Sequence, residues 1–407
     1  AQLKDFYETH YHPTNATFMT FGNIPAAEHQ AVFEAKALKN FTRLEQRIAV
    51  EPEQRFTQPL RVSETYAFDE ESGTDKATHL VMGCLLGDST DLMATLEAQL
   101  LSSVLLENSA SPLQKVLETT ELGTAPSPLC GLEDSLRELV FCCGIEGSEA
   151  EHADSLERLV IEVLEDVADN GVPLAHLEAV LHQLELHQRE VSGDGMPYGL
   201  SLILQALGPA THYADPIAVL DLDPVIDELR RRIQNPEYIR GLARRLLLDN
   251  PHRITLVMTP DTELSEARRE TERARLAALR EAMNDAEAAR VIEQTRALLE
   301  RQAKEDDPEI LPKVTLEDVP GELPALPYTE TSIHERTVTW YEQGTNGLIY
   351  QQLSCSLPVM SREELGLLPH LTGMAAELGL GASDYLAAQQ RQSATVGSIT
   401  LFSSLRG

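Results

Sequence analysis

Residues 77–123, ATHLVMGCLLGDSTDLMATLEAQLLSSVLLENSASPLQKVLETTELG, decide the fold class. The run 77–87 is apolar almost throughout and has the length of a strand. Over 91–107, Leu92, Leu96, Leu100 and Val104 recur at helical spacing and make one apolar stripe. Ser111 and Pro112 supply the cap and first position of a second helix, which Gly123 ends. Further strand-like runs stand at 136–147 (LRELVFCCGIEG) and 252–260 (HRITLVMTP). Amphipathic helices read at 150–169 and 173–191, and a third at 223–249 is interrupted by Pro236. Strands and helices in this order give an α+β fold, with antiparallel sheet packed against helices.

Toward the start, residues 1–9 suit the last turns of a helix. Pro13 stops it and pushes His12 toward extended geometry. ATFMTFGNI (16–24) reads as a strand, 26–40 as a helix, and 46–62, with Pro52 and Pro59, as a linker. The stretch 12–23 resembles 250–261: a proline, a polar approach, then an apolar run ending in a turn. That repeat implies one complete domain up to 261 and, in 1–45, the tail of an equivalent domain that begins before residue 1.

Toward the end, 262–307 is rich in Ala, Glu, Arg and Leu and has neither Gly nor Pro. Met283-Asn284-Asp285 is its natural turn, giving a hairpin of two antiparallel helices; a single long exposed helix is the alternative. Pro308, Pro312, Pro320, Pro324 and Pro327 mark an extended linker over 308–330. Residues 337–357 read as a strand hairpin turning at 344–347. A helix follows at 361–378, GLGAS (379–383) stops it, and 395–404 reads as a strand.

Candidate chemistry is sparse. HQLELH (182–187) has His182 and Glu185 spaced as in the HxxEH zinc motif, but Leu186 stands where the second histidine belongs. His187 lies five residues from His182, about 140° further round a helix, so the two imidazoles cannot share an ion. His10 and His12 share a face if extended, yet Pro13 follows at once and no third ligand is near. They read as a polar approach to a strand. No phosphate loop or GxSxG elbow occurs. No catalytic, cofactor-binding or metal-ligating residue is assigned in this chain.

Acidic residues number 65 against 33 basic, for a net charge of -32. Such a surface repels phosphate backbones and anionic membranes and suits basic partners. The cysteines, Cys84, Cys130, Cys142, Cys143 and Cys355, are odd in number and form no CxxC pair, so neither a disulfide framework nor a cysteine zinc site is supported. Cys84, Cys142 and Cys355 sit in apolar runs and read as buried hydrophobes. A reducing compartment follows: cytoplasm, or an organelle matrix in a eukaryote.

Four phrases, taken in order, resemble the presequence-protease (falcilysin-like) branch of the insulinase/pitrilysin zinc metallopeptidases. They are LKDFYETHYHPTNATFMTFGNI (3–24), SSVLLENSASPLQKVLE (102–118), ELGTAPSP (121–128) and TNGLIYQQLSCSLP (345–358). The resemblance implies four similar α+β domains in two halves, joined by a helical hairpin and closing around a peptide. It implies that 1–45 ends the first, catalytic-type domain and that 50–261 is the second, inactive one. By the same resemblance 262–307 is the hairpin, 308–330 an extended linker and 331–407 the start of the third domain. Zinc, the HxxEH motif and its distant glutamate would then belong to a longer parent, where zinc-activated water attacks a peptide carbonyl. This segment would bind no zinc and cleave nothing alone. Its implied partners are peptide substrates, basic ones among them, with no nucleic acid and no membrane. The rival reading is a peptide-binding or scaffold subunit related to the family's inactive members.

Overall fold

The computed structural model describes residues 2–45, 48–69, 73–191, 195–311, 313–322 and 325–404. These divide into two compact units. The first holds 2–66, 73–260 and 345–404, the second 67–69 and 261–344.

The first unit opens with α1 (Gln2–His10) and α2 (Ala26–Lys36). Between them, 16–24 is not the expected strand. Its composition is right, but a strand is held by a ladder partner, and none is present among the described residues. His12 instead caps a 3-10 turn at Pro13–Asn15, its Nδ1 accepting from the Thr14 N–H at 3.1 Å. His10 stacks on Phe6, so the two histidines serve separate local contacts.

Next come β1 (Leu60–Ala67), β2 (Thr78–Asp88), α3 (Leu92–Leu106), α4 (Pro112–Thr119), β3 (Ala125–Pro126), β4 (Gly131–Glu133) and β5 (Glu138–Ser148). Asp91 caps α3 through a 3.0 Å bond from the Ala94 N–H. Pro112 begins α4 as expected, but the helix ends at Thr119, short of Gly123. Then follow α5 (Ala153–Asn170), α6 (Leu174–Arg189), α7 (Tyr198–Thr211), α8 (Asp223–Ile233), α9 (Pro236–Ala243) and β6 (Arg253–Asp261). The sheet runs β1-β6-β2-β5-β3, with β4 also on β5. β2 pairs antiparallel with both β5 and β6, so it is the central strand.

Strand alternation sends Leu80, Met82, Cys84 and Leu86, with Leu139, Phe141, Cys143 and Ile145, into one core. Leu96, Leu100 and Val104 of α3 and Leu156, Val160 and Leu164 of α5 close over them. Each large aliphatic buried here contributes about 1.5–3 kcal/mol. β2 and β5 approach so closely that a Cβ on Gly144 would sit 2.2 Å from the Leu80 carbonyl oxygen. The fold is α+β, as its sequence implies. Burial pushes the Cys84 thiol up to about 12 and Cys143 well up, so neither is a thiolate nucleophile. Cys355, expected inside, is exposed, because 348–357 finds no strand partner.

The first unit finishes with 345–404, which holds the two helices Arg362–Met374 and Tyr385–Ser393. The strand expected at 395–404 is absent among the described residues; that apolar run also has no ladder to join.

The second unit contains α10 (Leu264–Ala282) and α11 (Asp285–Ala303), broken at Met283-Asn284 as the sequence implies. Asn284 and Glu287 form a reciprocal capping box, each backbone N–H bonded to the other's side chain at 3.0 Å. No residue of either helix is buried. Residues 308–330 carry only two 3-10 turns before β7 (Thr329–Ile333); Pro312 and Pro324 lie outside the described residues. β7 pairs with β8 (Arg336–Trp340). The hairpin therefore turns at His334-Glu335, not at 344–347. Both turn residues have positive φ, 46° and 63°, as a two-residue I′ turn requires. Asn346-Gly347 does turn, at φ 52° and 85°, but its flanks stay unpaired. With the final helices numbered in order, Arg362–Met374 is α12 and Tyr385–Ser393 is α13.

Candidate functional site

The sequence points first to α6. Its inner stripe, Leu177, Val180 and Leu181, is buried in the core, which fixes the rotation of the helix. His182 and His187 then diverge around the axis, as the spacing implies. Glu185 is not free. Arg189 donates from Nε to its Oε1 at 3.0 Å, and Arg230 of α8 donates from Nη2 to its Oε2. Arg189 also reaches Asp223 at 3.3 Å, and Arg230 reaches Asp227 at 3.0 Å. A zinc-peptidase glutamate must accept a proton from metal-bound water. Here both carboxylate oxygens are occupied by guanidinium donors. The residues present do not fit a zinc ion: no group of three His, Cys, Asp or Glu among the described residues could hold one.

A second cluster has no counterpart in the sequence reading. Glu97 of α3 is only 7% exposed. Its Oε1 accepts from Arg232 Nη1 at 3.0 Å and from the Tyr238 hydroxyl at 2.8 Å, and its Oε2 from Arg245 Nη2 at 2.6 Å. Arg232 also bonds Glu228 at 2.6 Å and lies over the Tyr238 ring, 5.8 Å from its centroid. Burial, then the Glu97 carboxylate, push the Tyr238 phenol far above its ordinary value. The donors bind both carboxylate oxygens and tie α3, α8 and α9 together, so the cluster is a rivet rather than an acid–base pair. The signal for it was present: one acid within LMATLEAQLLSSVLL must find partners or stay out of the core.

A third feature lies in the expected linker 46–62. Residues 53–56 strap the ends of β2, β5 and β6. Arg55 donates to the Leu86 carbonyl at 2.6 Å, to the Leu85 carbonyl at 3.3 Å and to Glu138. The Phe56 ring stacks on buried His252 at 3.9 Å, and the Phe56 N–H donates to His252 Nδ1 at 3.2 Å. That bond requires a neutral ring protonated at Nε2. Burial, then the Arg55 charge, hold the His252 pKa below its ordinary value. The three clusters support architecture; none assembles a nucleophile, a base and an open position.

Known proteins place the chain independently. Residues 1–184 match the family described as Peptidase M16 inactive domain, and residues 258–407 match the one described as associated with the C subfamily of Peptidase M16. The mitochondrial presequence protease of Xenopus tropicalis is 28% identical over 402 residues, covering 98% of this chain and 39% of that protein. Presequence protease 1, chloroplastic/mitochondrial, of Arabidopsis thaliana is 27% identical over 423 residues, covering 100% of this chain and 38% of its own length. The chain thus spans well under half the length of these relatives. Among solved structures, the periplasmic protease PqqL from Escherichia coli aligns at 14% identity with a TM-score of 0.42, over 97% of this chain and 42% of that one.

Proposed function

The chain belongs to the M16 peptidases, in a presequence-protease-like branch, and on that premise we propose that it is the non-catalytic central segment of a zinc metalloendopeptidase that degrades unfolded or targeting peptides in a closed chamber. In this proposal 1–45 ends a catalytic-type domain, 50–261 is its inactive relative, 262–307 and 308–330 are linkers, and 331–407 opens the next domain. The segment supplies chamber wall and a hinge between halves. Zinc belongs to the longer parent, and no step of its chemistry is assigned to a residue here. The substrates are peptides, and the net charge of -32 favours basic ones. The compartment is an organelle matrix, following the mitochondrial and chloroplastic names of the relatives. No helix among the described residues is long and apolar enough to cross a membrane.

The observation that carries the proposal is the occupation of Glu185 by Arg189 and Arg230 on the helix that most resembles a zinc helix. The test is hydrolysis of a quenched fluorescent basic peptide by the purified 407-residue chain, with and without added zinc. No cleavage above the buffer rate is expected. Zinc-dependent turnover removed by a chelator would overturn it.

A further inference from the structure

α6 has a second face. Gln183, Leu186 and Glu190 follow at i, i+3 and i+7, on one stripe turned away from Leu177, Val180 and Leu181. Parts of the chain far later in sequence come back to this stripe. The Gln183 side-chain amide donates to the carbonyls of Ser393 and Val396, at 2.5 and 2.8 Å. The Gly397 backbone lies against Leu186, where a Cβ would come within 3.3 Å of Leu186 Cδ1. Asn346 donates from Nδ2 to the Arg189 carbonyl at 3.2 Å, and the Tyr350 hydroxyl donates to Glu190. α13 packs on the same helix.

We propose that this stripe of α6 is an intramolecular docking surface whose occupant is the chain's own 345–397, held as a reversible latch. The contacts are hydrogen bonds to backbone and side chain plus one glycine contact. The docked segment buries little: Ile349 is 91% and Leu353 82% exposed, and 348–360 has no helix or strand of its own. A segment with few buried apolar contacts opens at low free-energy cost while the core stays closed. Gln183 stands at the end of the inactive-domain match and 345–397 lies within the second family match, 258–407, so the latch couples these two regions. The inference goes beyond the proposed function: it requires neither zinc nor peptidase activity.

Hydrogen–deuterium exchange on the full chain tests it, comparing wild type with Tyr350→Phe and Gln183→Ala. Tyr350→Phe removes one hydroxyl and keeps the ring. Exchange in 345–350 should accelerate about fivefold for Tyr350→Phe, and in 393–397 by at least that for Gln183→Ala, the effect of losing a net hydrogen bond. Strand residues 80–86 should be unchanged. Unaltered exchange at both docked segments would overturn the latch. So would equal acceleration in 80–86, which would make these contacts part of the global fold.

Discussion

Arg230 of α8 donates to Oε2 of Glu185 on α6, while Arg189 holds Oε1 at 3.0 Å. A carboxylate on a helix of zinc-motif appearance is thereby turned into a tie between two helices. Because Arg230 is 45% exposed, the tie is worth little in stability. Arg230→Ala is expected to cost about 0.5–1 kcal/mol in urea unfolding. A loss several times larger would mean that Glu185 is more deeply sequestered than its surroundings indicate.

Glu97 is the stronger anchor. It is nearly buried, and its removal strands Arg232, Arg245 and the Tyr238 hydroxyl. Breaking a buried ionic cluster costs about 3–5 kcal/mol, and the partial exposure of both arginines lowers this to about 2–4 kcal/mol for Glu97→Ala. Thermal unfolding of the variant beside wild type measures it. A neutral result would show that the cluster is dispensable.

How far these sites could be read in advance varies with how local their causes are. β2, α3 and the start of α4 were legible because periodicity, Pro112 and flanking turn residues all act within a few positions. The run 16–24 and the run 395–404 have strand composition but no ladder, and pairing is set by distant residues that composition does not report. The turn at His334-Glu335 was hidden because neither residue favours positive φ, whereas Asn346-Gly347 does. At the candidate site, the divergence of His182 and His187 followed from helix geometry alone. The arginines that hold Glu185 and Glu97 lie 45 or more residues away, except for Arg189, and only the fold brings them together.

His252 makes the strap pH-dependent. Its folded pKa lies below the unfolded value of about 6.5, since burial and Arg55 disfavour the imidazolium more than Glu53 and Glu138 favour it. The folded state therefore binds fewer protons. The contribution of the neutral ring is complete above pH of about 6.5 and is lost as pH falls through that value toward the lower folded pKa. Protonation also removes the acceptor for the Phe56 N–H. Unfolding free energy measured between pH of about 5 and 7 should fall on acidification, with a shallower slope for His252→Asn. Identical slopes would assign the dependence to other groups, His176 and His212 first, whose pKa values burial also lowers.

Two glycine substitutions should differ in sign. A Cβ on Gly144 would meet the Leu80 carbonyl oxygen at 2.2 Å and the Val81 Cα at 2.8 Å, both backbone atoms of the central strand. Gly144→Ala should cost more than about 3 kcal/mol or prevent folding. Gly366, inside α12 with nothing within 4 Å, should accept alanine with a gain of about 0.5–1 kcal/mol. Circular dichroism melts of the two variants decide the matter, and a well-folded Gly144→Ala would refute the close approach of β2 and β5.

The central claim is that the His182–Glu185 helix is no zinc site. Calorimetric titration of zinc into the 407-residue chain, beside His182→Ala, tests it most directly. The account predicts no stoichiometric tight site and the same trace for both proteins. A one-to-one site present in the wild type and abolished by His182→Ala would contradict it.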